Sequence, residues 1–256
     1  MTESTDVRPL AGPVAPSFNF LILLLTFSVL GIGLRQEWLS GSGAAFVFVF
    51  TAWVLSLCLH EFGHAYIAWK GGDDEIPATG YLTLDPRRYA DPIFSVVMPL
   101  IFTILGGIGF PGGSVLVDRE RLASRVWQSA MSAAGPAMNA LFLLFLLLLY
   151  RFASEEADAL REALAVAAFF QGTAIVLNLL PIPGLDGYAV LHPWLPPDVQ
   201  AVGGRIAPHA GLILMGLFVF SNAFGRAVSR AGLAIAAAMG FAPADIRAGY
   251  AAIQLW

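Results

Sequence analysis

The feature that most constrains this chain is a series of apolar runs, each near the length of a bilayer crossing. They occupy residues 18–34, 43–70, 126–150, 164–184 and 206–224. A hydrocarbon core takes about 20 helical residues to cross. Inside lipid the backbone must satisfy its own polar groups, so such runs fold as helices. Composition agrees: 57% of the 256 residues are hydrophobic and 12% charged, against roughly 25% charged in soluble domains.

The expected fold is an all-α polytopic membrane protein with five to six transmembrane helices. Residues 1–17 read as a flexible N-terminal tail, 18–224 as the membrane-embedded core, and 225–256 as a helical tail lying at the interface or on the bundle. Segment 91–113, "DPIFSVVMPLIFTILGGIGFPGG", is apolar but rich in glycine and proline. It reads as a short span or a re-entrant segment beside a cavity. "GYLTLDP" at 80–86 alternates apolar and polar residues, which predicts a strand. Residues 114–117 are its candidate partner, completing a small membrane-associated β element.

Charge excludes some functions and suggests an orientation. Lys70 is the single lysine, and the arginines form no basic run, so no nucleic-acid partner is expected. The lone Cys58 cannot form an intrachain disulfide. Lys70, Arg87, Arg88, Arg119, Arg121 and Arg125 all fall between the second and third runs, which places that side in the cytoplasm.

The second run carries "LCLHEFGHAYIAW", with His60, Glu61 and His64 among apolar residues. Residues i and i+4 share a helix face, so both imidazoles can hold one metal, with Glu61 placed to act on a water. Ionisable groups at membrane depth are costly and point to function. A zinc site wants a third protein ligand and an open position. The candidates are Asp186, His192 and His209. Asp186 in "NLLPIPGLDG" is favoured, because Pro181 and Pro183 break the helix there and Gly187 permits close backbone approach. A zinc transporter and a non-catalytic metal-binding membrane protein are the competing readings. A transporter would want ligands repeated along a path, and one cluster is legible.

"HEFGH", "AAGPAMN" at 133–139 and "NLLPIPGLDG" at 178–187, in that order and each on its own run, resemble the site-2 protease family of intramembrane zinc metalloproteases, peptidase family M50. The likeness is to its compact subgroup, which lacks PDZ and CBS domains and carries G-x-L-T-L-x-P after the metal helix, here Gly80 to Pro86. The resemblance implies one zinc ion per chain held by His60, His64 and Asp186, with Glu61 as general base. It places Asn139 and Asn178 near the site. By their chemistry, Asn139 can hydrogen-bond substrate or the developing oxyanion or bond a neighbouring helix, and Asn178 can satisfy carbonyls freed by Pro181 and Pro183 or help hold Asp186. Gly135 and Pro136 would let the third run approach the metal helix closely. It further implies transmembrane protein substrates, a bilayer setting and a bacterial inner membrane, with the site nearer the cytoplasmic face. An extended substrate would add to the strand edge at 80–84 and 114–117, and the glycine-rich stretch 106–113 would line or gate the cavity.

Overall fold

The computed structural model describes residues 14–89, 117–154 and 157–254. Five stretches among them are long and apolar enough to cross a membrane: Phe18–Arg35, Ser42–Lys70, Arg125–Phe152, Asp158–Asn178 and Pro197–Phe220. Among the described residues, the helices of six residues or more are α1 (Phe18–Arg35), α2 (Ser42–Lys70), α3 (Arg125–Phe152), α4 (Asp158–Asn178), α5 (Asp186–Leu191), α6 (Pro197–Ile206), α7 (Ala210–Phe220), α8 (Asn222–Met239) and α9 (Pro243–Ala252). The fifth apolar stretch comprises α6, a 3-10 turn at Ala207–His209 and α7.

Burial ranks these helices. The apolar window of α4 is 78% buried, against 22% for α1 and 17% for 197–220, so α4 is the central post. It packs against α2, α3, α8 and α9. Close crossings are made by small residues, as in membrane bundles generally. A Cβ on Gly172 of α4 would lie 2.6 Å from the carbonyl oxygen of Gly232 on α8. On α1, Leu21, Leu25, Val29 and Ile32 are exposed. Their helical spacing forms one outward apolar stripe, suited to lipid.

Helix α2, which carries His60 and His64, has 29 residues, about 43 Å at 1.5 Å per residue. At its C-terminal end the Lys70 ammonium lies 4.1 Å from the centre of the Trp69 ring, an aromatic and basic pairing typical of a membrane interface. The following loop is pinned to the start of α3. The Ala123 N–H donates to the Gly71 carbonyl at 2.9 Å, and Arg121 pairs with Glu75 at 2.6 Å.

The strand expected at 80–84 is absent. Gly80 and Leu84 take left-handed angles, φ +80° and +57°, on either side of a 3-10 turn at Tyr81–Thr83. The threonines explain the alternation. Thr79 Oγ1 accepts from the Tyr81 N–H at 3.1 Å, and Thr83 Oγ1 donates to the Gly80 carbonyl at 2.7 Å. Both hydroxyls serve a local turn, as threonine commonly does, and no strand occurs among the described residues. Most of the proposed partner, 114–116, lies outside the described residues, as do the re-entrant segment 91–113 and most of the N-terminal tail, 1–13.

The fourth crossing is shifted from its apolar run. It starts at Asp158 and ends at Asn178, three residues before Pro181. A residue preceding proline disfavours helical angles, so the helix closes early. Residues 179–185 then form a bend, with Gly184 at φ +97°.

Candidate metal centre

Three side chains converge at the middle of the bundle. His60 Nε2 and His64 Nε2 are 3.0 Å apart. Asp186 completes a triangle, with Oδ2 3.2 Å from His60 Nε2 and Oδ1 3.3 Å from His64 Nε2. The histidines share a face of α2 because they are four residues apart. Asp186 arrives because the bend after α4 carries the chain back, and it opens α5. Among the described residues these three form a group able to hold a metal ion.

The hydrogen bonds on the far side of each ring match that use. His60 Nδ1 lies 2.5 Å from Asn139 Oδ1, and His64 Nδ1 2.7 Å from the Met131 carbonyl. Both partners are acceptors, so both Nδ1 atoms carry the proton and both Nε2 lone pairs face inward. Two facing lone pairs and a carboxylate repel unless a cation lies between them. Zinc bonds of about 2.0–2.2 Å place tetrahedral ligand atoms roughly 3.3 Å apart, close to the three edges observed. The residues present therefore fit zinc.

Helix α3 comes close enough to back the pair only because position 135 is glycine. A Cβ there would overlap His64 Nε2 and sit 2.6 Å from His60 Nε2. Gly63 on α2 makes the reciprocal approach: its Cβ would lie 2.8 Å from the Ala134 carbonyl oxygen. Pro136 follows inside α3 and is buried. Gly187, next to Asp186, is buried, and a Cβ there would overlap the Leu179 carbonyl.

A cavity of about 280 Å³ opens onto these groups. It is lined by Glu61, Asn178 and Asn139 beside the three donors. Glu61 is 3% exposed, a carboxylate kept inside the protein next to the metal position. Asn178 is buried at the cavity wall. Its side chain bonds neither Asp186 nor the carbonyls of the proline bend among the described residues. Asn139 faces His60, and its amide N–H groups are directed to Ser56 Oγ at 2.8 Å and Gln171 Oε1 at 3.1 Å. With its oxygen on His60, that amide is fully committed to protein partners.

The other histidines stand apart from the group. His192 packs its ring against Tyr188, with centroids 5.7 Å apart, and His209 sits in the turn between α6 and α7. Sequence reasoning missed four further features. Ser56 and Gln171 were unremarked polar residues in apolar runs. Trp53 lines the cavity with a buried indole N–H that has no hydrogen-bond partner among the described residues. Arg119, read only as a topology signal, lines the same cavity. Burial lowers its guanidinium pKa from the ordinary value, and Asp186 acts in the opposite direction. One signal was available for Ser56: it lies one helical turn before His60.

An H-E-x-x-H helix meeting an aspartate inside a bundle of apolar helices defines a membrane-type zinc metalloprotease. Comparison with known proteins gives the same answer. The chain is 42% identical over 214 residues to the provisionally named zinc metalloprotease Rip2 of Mycobacterium tuberculosis, covering 80% of this chain and 81% of that one. It is 42% identical over 203 residues to its namesake in Mycolicibacterium smegmatis, covering 76% of this chain and 77% of that one. It is 30% identical over 179 residues to YwhC of Bacillus subtilis, also provisionally named a zinc metalloprotease, covering 65% of this chain and 77% of that one. No protein-family model and no solved structure matches the chain. The chain belongs to the site-2 protease family of zinc metalloproteases.

Proposed function

We propose that this protein is an intramembrane endopeptidase that hydrolyses peptide bonds in or near transmembrane segments of membrane proteins. The observation that carries the reading is the convergence of His60, His64 and Asp186 beside buried Glu61, in a cavity walled by membrane-length helices. His60, His64 and Asp186 hold one zinc ion. Bound there, zinc supplies a Lewis acid that brings the pKa of water to about 7. Glu61 takes the proton from the attacking water and returns it to the departing amine. Asn178 and the Trp53 indole N–H donate to substrate carbonyls, since both line the cavity and the buried indole N–H has no hydrogen-bond partner among the described residues.

The site faces the cytoplasmic half of a bacterial cell membrane. His64 precedes Lys70 by six residues, about 9 Å along the helix, and the segment carrying Arg121 and Arg125 is tied to that end through the Ala123–Gly71 and Arg121–Glu75 contacts. A zinc transporter is disfavoured, because the described residues contain one ligand group and no second station along a path.

The experiment is cleavage of single-span substrates by the enzyme reconstituted in liposomes, with mass spectrometry of the products. Cuts within the apolar segment or a few residues from it are expected. Cuts confined to soluble domains would overturn the intramembrane reading.

A further inference from the structure

The group that binds His60 is itself held by two residues from other helices. Ser56 lies on α2 one turn before His60, Asn139 on α3 and Gln171 on α4. All three are buried, at 2%, 4% and 1% exposure. Ser56 Oγ donates to Gln171 Oε1 at 2.6 Å, Asn139 Nδ2 donates to both, and Asn139 Oδ1 faces His60 Nδ1. A polar cluster buried among apolar helices is destabilising unless its groups are satisfied.

Its polarity runs one way. Gln171 Oε1 can only accept. It receives the Ser56 hydroxyl proton and an Asn139 N–H, which turns the Asn139 amide so that its oxygen, not its nitrogen, meets His60. That oxygen requires the proton on Nδ1 and leaves the Nε2 lone pair for the metal. Without the Gln171 acceptor, the Ser56 hydroxyl is free to turn and donate to Asn139. The amide can then flip and present N–H to His60, favouring the tautomer whose Nε2 carries a proton.

We propose that Gln171, acting with Ser56 through Asn139, is a positioning residue that fixes the tautomer and orientation of His60 and thereby sets metal affinity. It touches neither metal nor substrate. Groups at this remove from a metal commonly alter affinity by about 10- to 100-fold.

The inference rests on the metal-site reading, and the test separates the two. Zinc dissociation constants are measured by chelator competition on the full chain in detergent for wild type, His60→Ala, Gln171→Leu and Gln171→Glu, together with the thermal midpoint of each metal-free protein. Gln171→Leu should weaken zinc binding about 10-fold or more. Gln171→Glu, which keeps the acceptor, should stay within about threefold of wild type. The metal-free midpoints should not follow the affinities. Affinity in Gln171→Leu within about threefold of wild type would overturn the proposal. Equal weakening by Leu and Glu, or losses that track metal-free stability, would do the same. A wild type that binds no stoichiometric zinc, or a His60→Ala variant that binds it normally, would instead overturn the site itself.

Discussion

At the residue scale, the donor triangle depends on one absent side chain. Gly135 is the floor on which both imidazoles rest. Gly135→Val would place carbon where the ligand atoms converge, so zinc content should fall at least about tenfold while circular dichroism still reports a helical protein. Asp186→Ala removes one of the three proposed ligands and should lower zinc content similarly. His192→Ala should leave it unchanged, because that ring meets Tyr188 edge-on and does not join the donor group. Metal analysis of the purified variants decides both cases, and zinc loss from His192→Ala would show the third ligand to be misassigned. These donors were legible in sequence because metal chemistry restricts residue type and i, i+4 spacing restricts geometry. Asp186 could be singled out because a carboxylate at a proline-broken helix end is costly without a positively charged partner, and the structure brings it beside His60 and His64. Ser56 and Gln171 were not legible. A serine or an amide in an apolar run can satisfy itself in many ways, and nothing in the spacing of 56, 139 and 171 foretells that they meet.

At the element scale, apolar length located the crossings, and local hydrogen bonding decided where they stop. Helix α4 ends before its prolines because the chain must already have left helical angles when it reaches Pro181. The turn at 81–83 was misread as a strand because threonine hydroxyls can cap turns as readily as they face solvent from a sheet. The last helix shows what a hydropathy reading leaves out. Helix α9 has little apolar length, yet it docks on α4 and α3. Tyr150 Oη donates to Asp245 Oδ2 and accepts from the Ala242 N–H at 3.2 Å, and Arg161 lies 3.6 Å from the same carboxylate oxygen. Tyr150→Phe removes both hydrogen bonds and keeps the ring. It should destabilise the protein by about 1–2 kcal/mol, read as a lowered thermal midpoint in detergent. An unchanged midpoint would mean that α9 is held without help from the Tyr150 hydroxyl.

At the scale of the whole molecule, the account joins a site to a setting: a candidate metal centre inside a bundle, with Lys70, Arg87, Arg121 and Arg125 in the segment that joins α2 to α3. If that segment is cytoplasmic, a cysteine replacing exposed Arg87 should be labelled by a membrane-impermeant thiol reagent only after the cytoplasmic face is opened. One replacing exposed Glu37 should be labelled from outside intact cells. Cys58 is buried and can be changed to serine for the purpose. The reverse labelling pattern would invert the topology without disturbing the metal chemistry. The central claim is that buried Glu61 acts on a water beside the metal and does not hold the metal itself. It is tested most directly by comparing wild type with Glu61→Gln for bound zinc and for cleavage of a single-span substrate in the same preparation. The account predicts zinc retained at one ion per chain and cleavage reduced by at least about a thousandfold, in keeping with loss of a positioned base. Cleavage at the wild-type rate by the zinc-loaded variant would contradict it.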